Sequence, residues 1–274
     1  MVRITNENFS IVQICRSGQC FRMEELADEK AGTVALVAFG KYLEVSQDGN
    51  EIIFDCTQEE YDSVWKDYFD MEKDYAAVIK GIDAADKYLV SAAEFGAGIR
   101  ILRQELWEMI ISFIISQQNN IKRIRKCVRL LCEAYGEKKI AQNGIDYYEF
   151  PTPYALSAAS VEDLFACNLG YRSRYIYETA NAVLRREIDL ESLSALDYVE
   201  ANKELLKLCG VGKKVADCIC LFALHKTEAF PKDTHINKAL AAQYPNGFPF
   251  DRYGADSGIL QQYIFYYDLN RNGK

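Results

Sequence analysis

At Thr57 the apolar residues change period, and that change rules out a fold made of one sheet or one bundle alone. Before it, Thr33–Phe39, Lys41–Ser46 and Glu51–Cys56 are rich in valine, isoleucine, leucine and phenylalanine, and read as strands. Gln47-Asp48-Gly49-Asn50 between the last two is a hairpin signal. After it, Tyr61, Val64, Trp65, Tyr68 and Phe69 recur at helical spacing within Glu59–Phe69. Helical patterns continue over Glu105–Ser116, Asn119–Tyr135, Val161–Cys167, Ser173–Arg186, Tyr198–Leu206, Lys213–Leu224, Thr234–Tyr244 and Ser257–Tyr267. Glu137–Pro153 is the most loop-like stretch. A chain of 274 residues is long enough for two domains. The expected fold is α+β, with an antiparallel β domain and its flanking helices over residues 1–95 and a helical domain over 96–274.

Charge divides along the same line. Residues 1–100 hold 10 Lys+Arg against 19 Asp+Glu, whereas the remaining 174 hold 22 against 21. The net charge of −8 therefore does not exclude a polyanionic partner, because salt screens charges beyond roughly 10 Å and only the local patch counts. Residues 121–130, IKRIRKCVRL, contain five basic residues and no acid. The longest apolar stretch, Met109–Ile115, is far short of the ~20 residues that cross a bilayer. The first fifteen residues carry Arg3, Glu7 and two asparagines and make no secretory segment. Nine cysteines, an odd number, fit neither a disulfide framework nor a zinc site, so reduced thiols in an intracellular protein are expected, in the cytoplasm, nucleoid or nucleus.

Leu205–His225, LLKLCGVGKKVADCICLFALH, carries the most chemistry. One helix ends at Cys209-Gly210-Val211-Gly212 and another begins at Lys213. Gly210 and Gly212 let the backbone turn sharply and approach another surface closely. The N–H groups that open the second helix make a site for a phosphodiester, with Lys213 beside it. A helical corner without a ligand would need the same glycines. Lys214 follows in the first turn, and Pro231-Lys232-Asp233-Thr234-His235 then leads into another helix with Asp233 as its N-cap.

A glycine-rich hairpin, a lysine and then an aspartate resemble the pattern of helix-hairpin-helix DNA glycosylases. SGQCFR, SQQNNIKRI, LGYRSRY, GVGKKVADCICLFAL, PKDTH and QQYIFYYDL resemble, in this order, segments of the 8-oxoguanine DNA glycosylases, and span residues 17 to 269. The iron–sulfur branch of that superfamily is not matched, since no cysteine follows Cys220.

The resemblance implies an activity and a site. It implies a bifunctional glycosylase and AP lyase acting on double-stranded DNA that contains 8-oxoguanine, as a monomer and without a required cofactor. Lys214 would be the nucleophile at C1′; the helix N-terminus, Lys213 and an apolar pocket all favour its neutral form. Asp233 would stabilise the charge that develops on the sugar. Gly18 would accept the N7–H that distinguishes 8-oxoguanine from guanine. Cys218 and Phe265 would sandwich the flipped ring, Gln261 would read its Watson–Crick edge, and Pro231 would line the same pocket. Gln118, Asn119 and Asn120 match the loop that fills the vacated stack, where the family usually has asparagine at the first position. Arg123, Tyr171 and Arg172 match positions at the orphaned base and favour cytosine there. His235 would contact a phosphate, and His225 would be a charge at a helix C-terminus. The carbonyls of Leu206, Leu208 and Val211 could converge on a monovalent cation. Two other readings compete. An alkylpurine glycosylase typically lacks the hairpin lysine, and a non-catalytic hairpin module would only clamp phosphates.

Overall fold

The computed structural model describes residues 1–26 and 32–271. Five strands form one antiparallel sheet in the order β1 (Val2–Thr5), β5 (Glu51–Phe54), β4 (Lys41–Asp48), β3 (Thr33–Ala38), β2 (Met23–Glu25). Alternation puts Val34, Leu36, Leu43, Val45, Ile52 and Phe54 on one buried face. β3 stops one residue short of the expected end because Phe39 and Gly40 turn the chain with φ of 51° and 67°. The next hairpin is tighter than expected: Asp48 pairs with Glu51, leaving Gly49 and Asn50 as the loop. The edge strands β1 and β2 lie outside the sequence expectation. Three or four residues carry too little alternation to read, and β1 finds its partner β5 some fifty residues away.

Helix α1 (Ile11–Arg16) covers the buried face of the sheet. α2 (Gln58–Glu60) runs through a π-helical turn, Tyr61–Trp65, into α3 (Lys66–Tyr68), so the expected 59–69 helix carries one wide turn. α4 (Tyr75–Lys80) and α5 (Lys87–Phe95) follow, then α6 (Leu106–Ser116) and α7 (Ile121–Tyr135). The stretch expected to be a loop contains a small hairpin, β6 (Lys138–Ile140) with β7 (Asp146–Tyr148), closed by the exposed pair Lys138–Asp146. Next come α8 (Pro153–Ala158), α9 (Val161–Phe165), α10 (Arg172–Leu184), α11 (Leu190–Leu193) and α12 (Tyr198–Leu205). α13 (Lys213–Phe222), α14 (Thr234–Gln243), α15 (Phe250–Tyr253) and α16 (Ser257–Arg271) complete the helices. Their starts are encoded locally: Asp74, Asp86, Thr152, Asp197 and Asp233 each accept a hydrogen bond from an N–H of the first turn.

The hydrophobic cores do not divide at residue 95. Tyr75, Ile82, Leu89, Ala92 and Ala93 belong to the large helical core, while Leu102 packs into the core beneath the sheet. α5 lies against α16, which is why the segment that follows the sheet in sequence is helical-domain material in space. Residues 272–274, at the far limit of the expected second domain, lie outside the described residues.

Two groups tie the cores together. The Arg100 guanidinium, 1% exposed, donates to the carbonyls of Asn8, Phe69, Asp70 and Lys73 and lies 4.2 Å over the Tyr75 ring. Asp70 accepts from Tyr75 and Arg103 and sits 3.2 Å from His225 Nε2. His225 is thus more than a terminal helix charge; it adopts φ 51° beyond α13 and reaches the sheet side of the molecule. Burial alone pushes the Asp70 carboxyl up, but His225 and Arg103 outweigh it and hold it at about 2. A depressed carboxylate stabilises the fold above its unfolded value of ~3.9 and loses that contribution as pH falls through the folded value. We expect the urea unfolding free energy to drop by about 2 kcal/mol through this group between pH 5 and pH 2. Asp70→Asn should flatten that part of the profile; an unchanged profile would mean that other carboxylates dominate acid unfolding.

Candidate active site

Lys214 occupies the second position of α13, just past the hairpin turn. The two glycines of that turn do different things. Gly210 has φ 79°, and a Cβ there would come within 2.5 Å of the Tyr175 ring, so the fold itself demands glycine. Gly212 is extended, and a Cβ there would meet nothing within 4 Å. Its lack of a side chain leaves the start of α13 open. As N-cap it offers no side-chain acceptor, so the first N–H groups of α13 are not capped from within. Lys213 beside them is exposed.

The Lys214 side chain turns inward, its Nζ 5.3 Å from the centre of the Phe113 ring. The Cys218 thiol lies one turn further along the helix, pushed up to about 11 by burial. Asp233 approaches from the start of α14, where its Oδ1 accepts the Ile236 N–H at 2.8 Å. Lys214 and Asp233 line one cavity together with Gly18, Cys218, Pro231, Gln261 and Phe265, the seven residues expected there. Ser17, Phe113, Phe222 and Gln262 complete the lining and were not singled out in the sequence. Phe113 and Phe222 sit in apolar helical runs that read simply as core, and their rings stack at 5.6 Å.

Each flank of Gly18 is anchored by a buried amide. Gln262 donates to the Ser17 carbonyl at 2.6 Å, and Gln19 bonds to the backbone of Arg100 and Leu102. Gly18 itself has φ 77°, and a Cβ would sit 3.2 Å from Phe265. Gln261 spends its amide nitrogen on the Pro231 carbonyl, while its Oε1 is buried with no hydrogen-bond partner. An orphaned acceptor lining a cavity costs stability and is a group that a ligand with N–H donors would satisfy. The cavity measures about 50 Å³, room for one or two waters.

The expected DNA-facing residues form a second cluster. Gln118 is exposed and held at φ 47°, a conformation uncommon for a residue with a side chain. Asn119 donates to the Ile115 carbonyl, and Asn120 caps α7 through the Arg123 N–H. Arg123 is exposed, and Tyr171 is half-exposed. Arg172 is not presented outward as expected: it is 4% exposed and donates to the carbonyls of Gln117, Gln118 and Leu169. Gln117, which the sequence reading passed over, links the clusters. Its amide donates to the Gly210 carbonyl at 2.8 Å and its own carbonyl receives Arg172, so hairpin, loop and arginine share one network. His235 is exposed, its ring edge-on to Phe265 at 6.1 Å and its Nδ1 3.7 Å from Asp268. Of the three carbonyls expected at a cation, that of Leu208 accepts the Val211 N–H, whereas those of Leu206 and Val211 receive no backbone hydrogen bond among the described residues.

An antiparallel sheet joined to a helical body, with a lysine and an aspartate flanking a cavity beside an open hairpin, defines a helix-hairpin-helix base-excision protein. The profile of the 8-oxoguanine DNA glycosylase N-terminal domain matches residues 1–110, and that of the HhH-GPD superfamily of base excision DNA repair proteins matches residues 111–246. A solved structure of MBOgg1 in complex with a low affinity DNA ligand is 34% identical, with TM-score 0.92 over 99% of this chain and 96% of that one. The Clostridium acetobutylicum 8-oxoguanine glycosylase/lyase, solved with DNA containing cytosine opposite 8-oxoG, is 37% identical, with TM-score 0.89 over 98% and 94%. The N-glycosylase/DNA lyase of Saccharomyces cerevisiae is 36% identical over 158 residues, 54% of this chain. That match spans 42% of the yeast protein's length. The chain belongs to the 8-oxoguanine DNA glycosylase family.

Among the described residues no helix is long and apolar enough to cross a membrane, and no group of three or more His, Cys, Asp or Glu is placed to hold a metal ion.

Proposed function

We propose that this protein excises 8-oxoguanine, preferably opposite cytosine, from double-stranded DNA and then cleaves the strand as an AP lyase. The observation that carries the reading is the shared cavity: the amine of Lys214 and the carboxylate of Asp233 open onto the same space as Gly18 and the unpartnered acceptor of Gln261. A flipped nucleotide would place its base between Cys218 and Phe265, with Pro231 at the wall, and its sugar at Lys214. Flipping costs a few kcal/mol, which Gln118, Asn119 and Asn120 offset by occupying the gap. Arg123, Tyr171 and Arg172 stand where the partner base would be left. For Arg172 to reach that base, its bonds to Gln117 and Gln118 must open.

The chemistry balances without a cofactor. The Lys214 nitrogen lone pair forms a bond to C1′ as the C1′–N9 bond breaks, and the departing base takes up a proton. Asp233 opposes the positive charge that develops on the sugar. Ring opening gives an imine between Lys214 and C1′; loss of a C2′ proton then expels the 3′ phosphate. Gly210, Gly212, Lys213 and His235 hold the flanking phosphates meanwhile. An alkylpurine glycosylase would not need Lys214. Borohydride reduction tests the reading: the protein should be trapped covalently on a duplex with 8-oxoguanine opposite cytosine and not on an undamaged one. Equal trapping on both, or tight binding with no adduct, would sink it.

The carbonyls of Leu206, Leu208 and Val211 suit a hard monovalent cation, two of them being free of backbone hydrogen bonds. Such an ion would neutralise a phosphate at the hairpin. Replacing potassium by tetramethylammonium at constant ionic strength should weaken duplex binding several-fold; unchanged affinity would remove the ion from the account. The protein would act as a monomer, and nine cysteines, eight of them buried, suit an intracellular setting.

A further inference from the structure

The five cations of residues 121–130 do not share one fate in the fold. Arg125 donates to the Cys15 carbonyl at 2.8 Å, and Arg129 lies 3.8 Å from Glu133. Lys122, Arg123 and Lys126 are exposed, and no ion pair among the described residues includes any of them. All three fall in the first two turns of α7, immediately after the exposed Gln118 and the capping Asn120.

That placement works against the helix. Cations in the first turns oppose the positive end of the helix dipole, and like charges four residues apart on one face repel. Nor does the core require them: α7 buries Ile124, Cys127, Val128, Leu131 and Cys132, and glutamine or alanine would serve the opposite face. In a chain of net charge −8, an unpaired basic cluster at the most electropositive end of a helix is relieved by an anion. The rise of a helix sets the Cα atoms of Lys122 and Lys126 about 6 Å apart along the axis, so their side chains can engage successive groups of a polyanion rather than a single one.

We propose that Lys122 and Lys126 form a phosphate-binding edge that continues the DNA contact outward from the Gln118–Asn120 loop along α7. The proposal rests on the DNA-repair reading above and adds a surface to it: sequence-independent affinity supplied locally, on a molecule whose overall charge repels DNA. Because both contacts are to backbone, they strengthen binding to damaged and undamaged duplex alike and carry no lesion preference.

Fluorescence anisotropy across a potassium chloride series tests this. The probes are a duplex with a tetrahydrofuran abasic site opposite cytosine and its undamaged counterpart. For Lys122→Gln/Lys126→Gln the slope of log K against log salt should become shallower by about 1.8 on both duplexes, the loss of two released counterions. Lys80→Gln/Lys87→Gln, on α4 and α5, removes the same net charge from exposed positions and should leave the slope unchanged. An unaltered slope in the α7 variant, or equal shifts in both variants, would overturn the assignment. Failure of the unmodified protein to bind either duplex would instead remove the DNA-repair reading itself.

Discussion

Lys214→Gln is expected to yield no borohydride-trapped adduct and to slow base release by ~10⁴-fold or more, with duplex binding retained. That factor corresponds to about 5.5 kcal/mol of transition-state stabilisation. Glutamine keeps the stem and a polar end but has no basic nitrogen to bond C1′. The surrounding cavity does not depend on the ammonium. Asp233 is held by the Ile236 N–H, Gln261 by Pro231, and Gly18 by its neighbours' bonds to Gln262 and Arg100. Base recognition and helix capping should therefore survive. Persistence of the adduct in the variant would transfer the nucleophile to another amine, Lys213 being the nearest in sequence. Retained binding by a wild-type protein that forms no adduct would leave a phosphate-clamping module.

Arg100→Met is expected to lower stability by about 4 kcal/mol and the melting temperature by ~10 °C. The methionine fills most of the volume, so the loss is chiefly electrostatic. Four carbonyls, from Asn8, Phe69, Asp70 and Lys73, lose their donor in a site where Arg100 itself is 1% exposed. Each buried, unmet carbonyl costs ~1–3 kcal/mol, less where water can enter. Arg100→Lys keeps the charge but not the planar fork and should recover only part of the loss. These carbonyls lie on chain crossing between the two cores, so we expect the sheet and helical regions to lose cooperativity together. Thermal melts followed by near- and far-ultraviolet dichroism would check this. A melting point within a few degrees of wild type would show that water substitutes for the guanidinium.

Long amphipathic helices and the central strands were legible because their signal is periodic and repeats over many residues. The starts of α13 and α14 were legible too, because Gly212 and Asp233 act on their own first turns. Short elements were not. β1, β2 and the β6–β7 hairpin each span three or four residues, and their stability comes from partners that the local sequence does not name. That α4 and α5 pack into the large helical core was not legible for a related reason: helical spacing shows that a face is buried, not which core buries it.

At the site, the local order of residues determined the hairpin, the lysine in its first helical turn and the aspartate cap, since each depends on neighbours within four positions. The family resemblance then indicated which distant segments would meet. Only the tertiary structure decided how they meet: that Gly210 is demanded by Tyr175 while Gly212 is left open, and that Arg172 is turned inward onto Gln117. It also decided that Lys122 and Lys126 enter no ion pair among the described residues while Arg129 pairs with Glu133. Those facts depend on contacts between residues tens to hundreds of positions apart. A one-dimensional pattern carries periodicity and caps, but burial and charge pairing are properties of the packed chain.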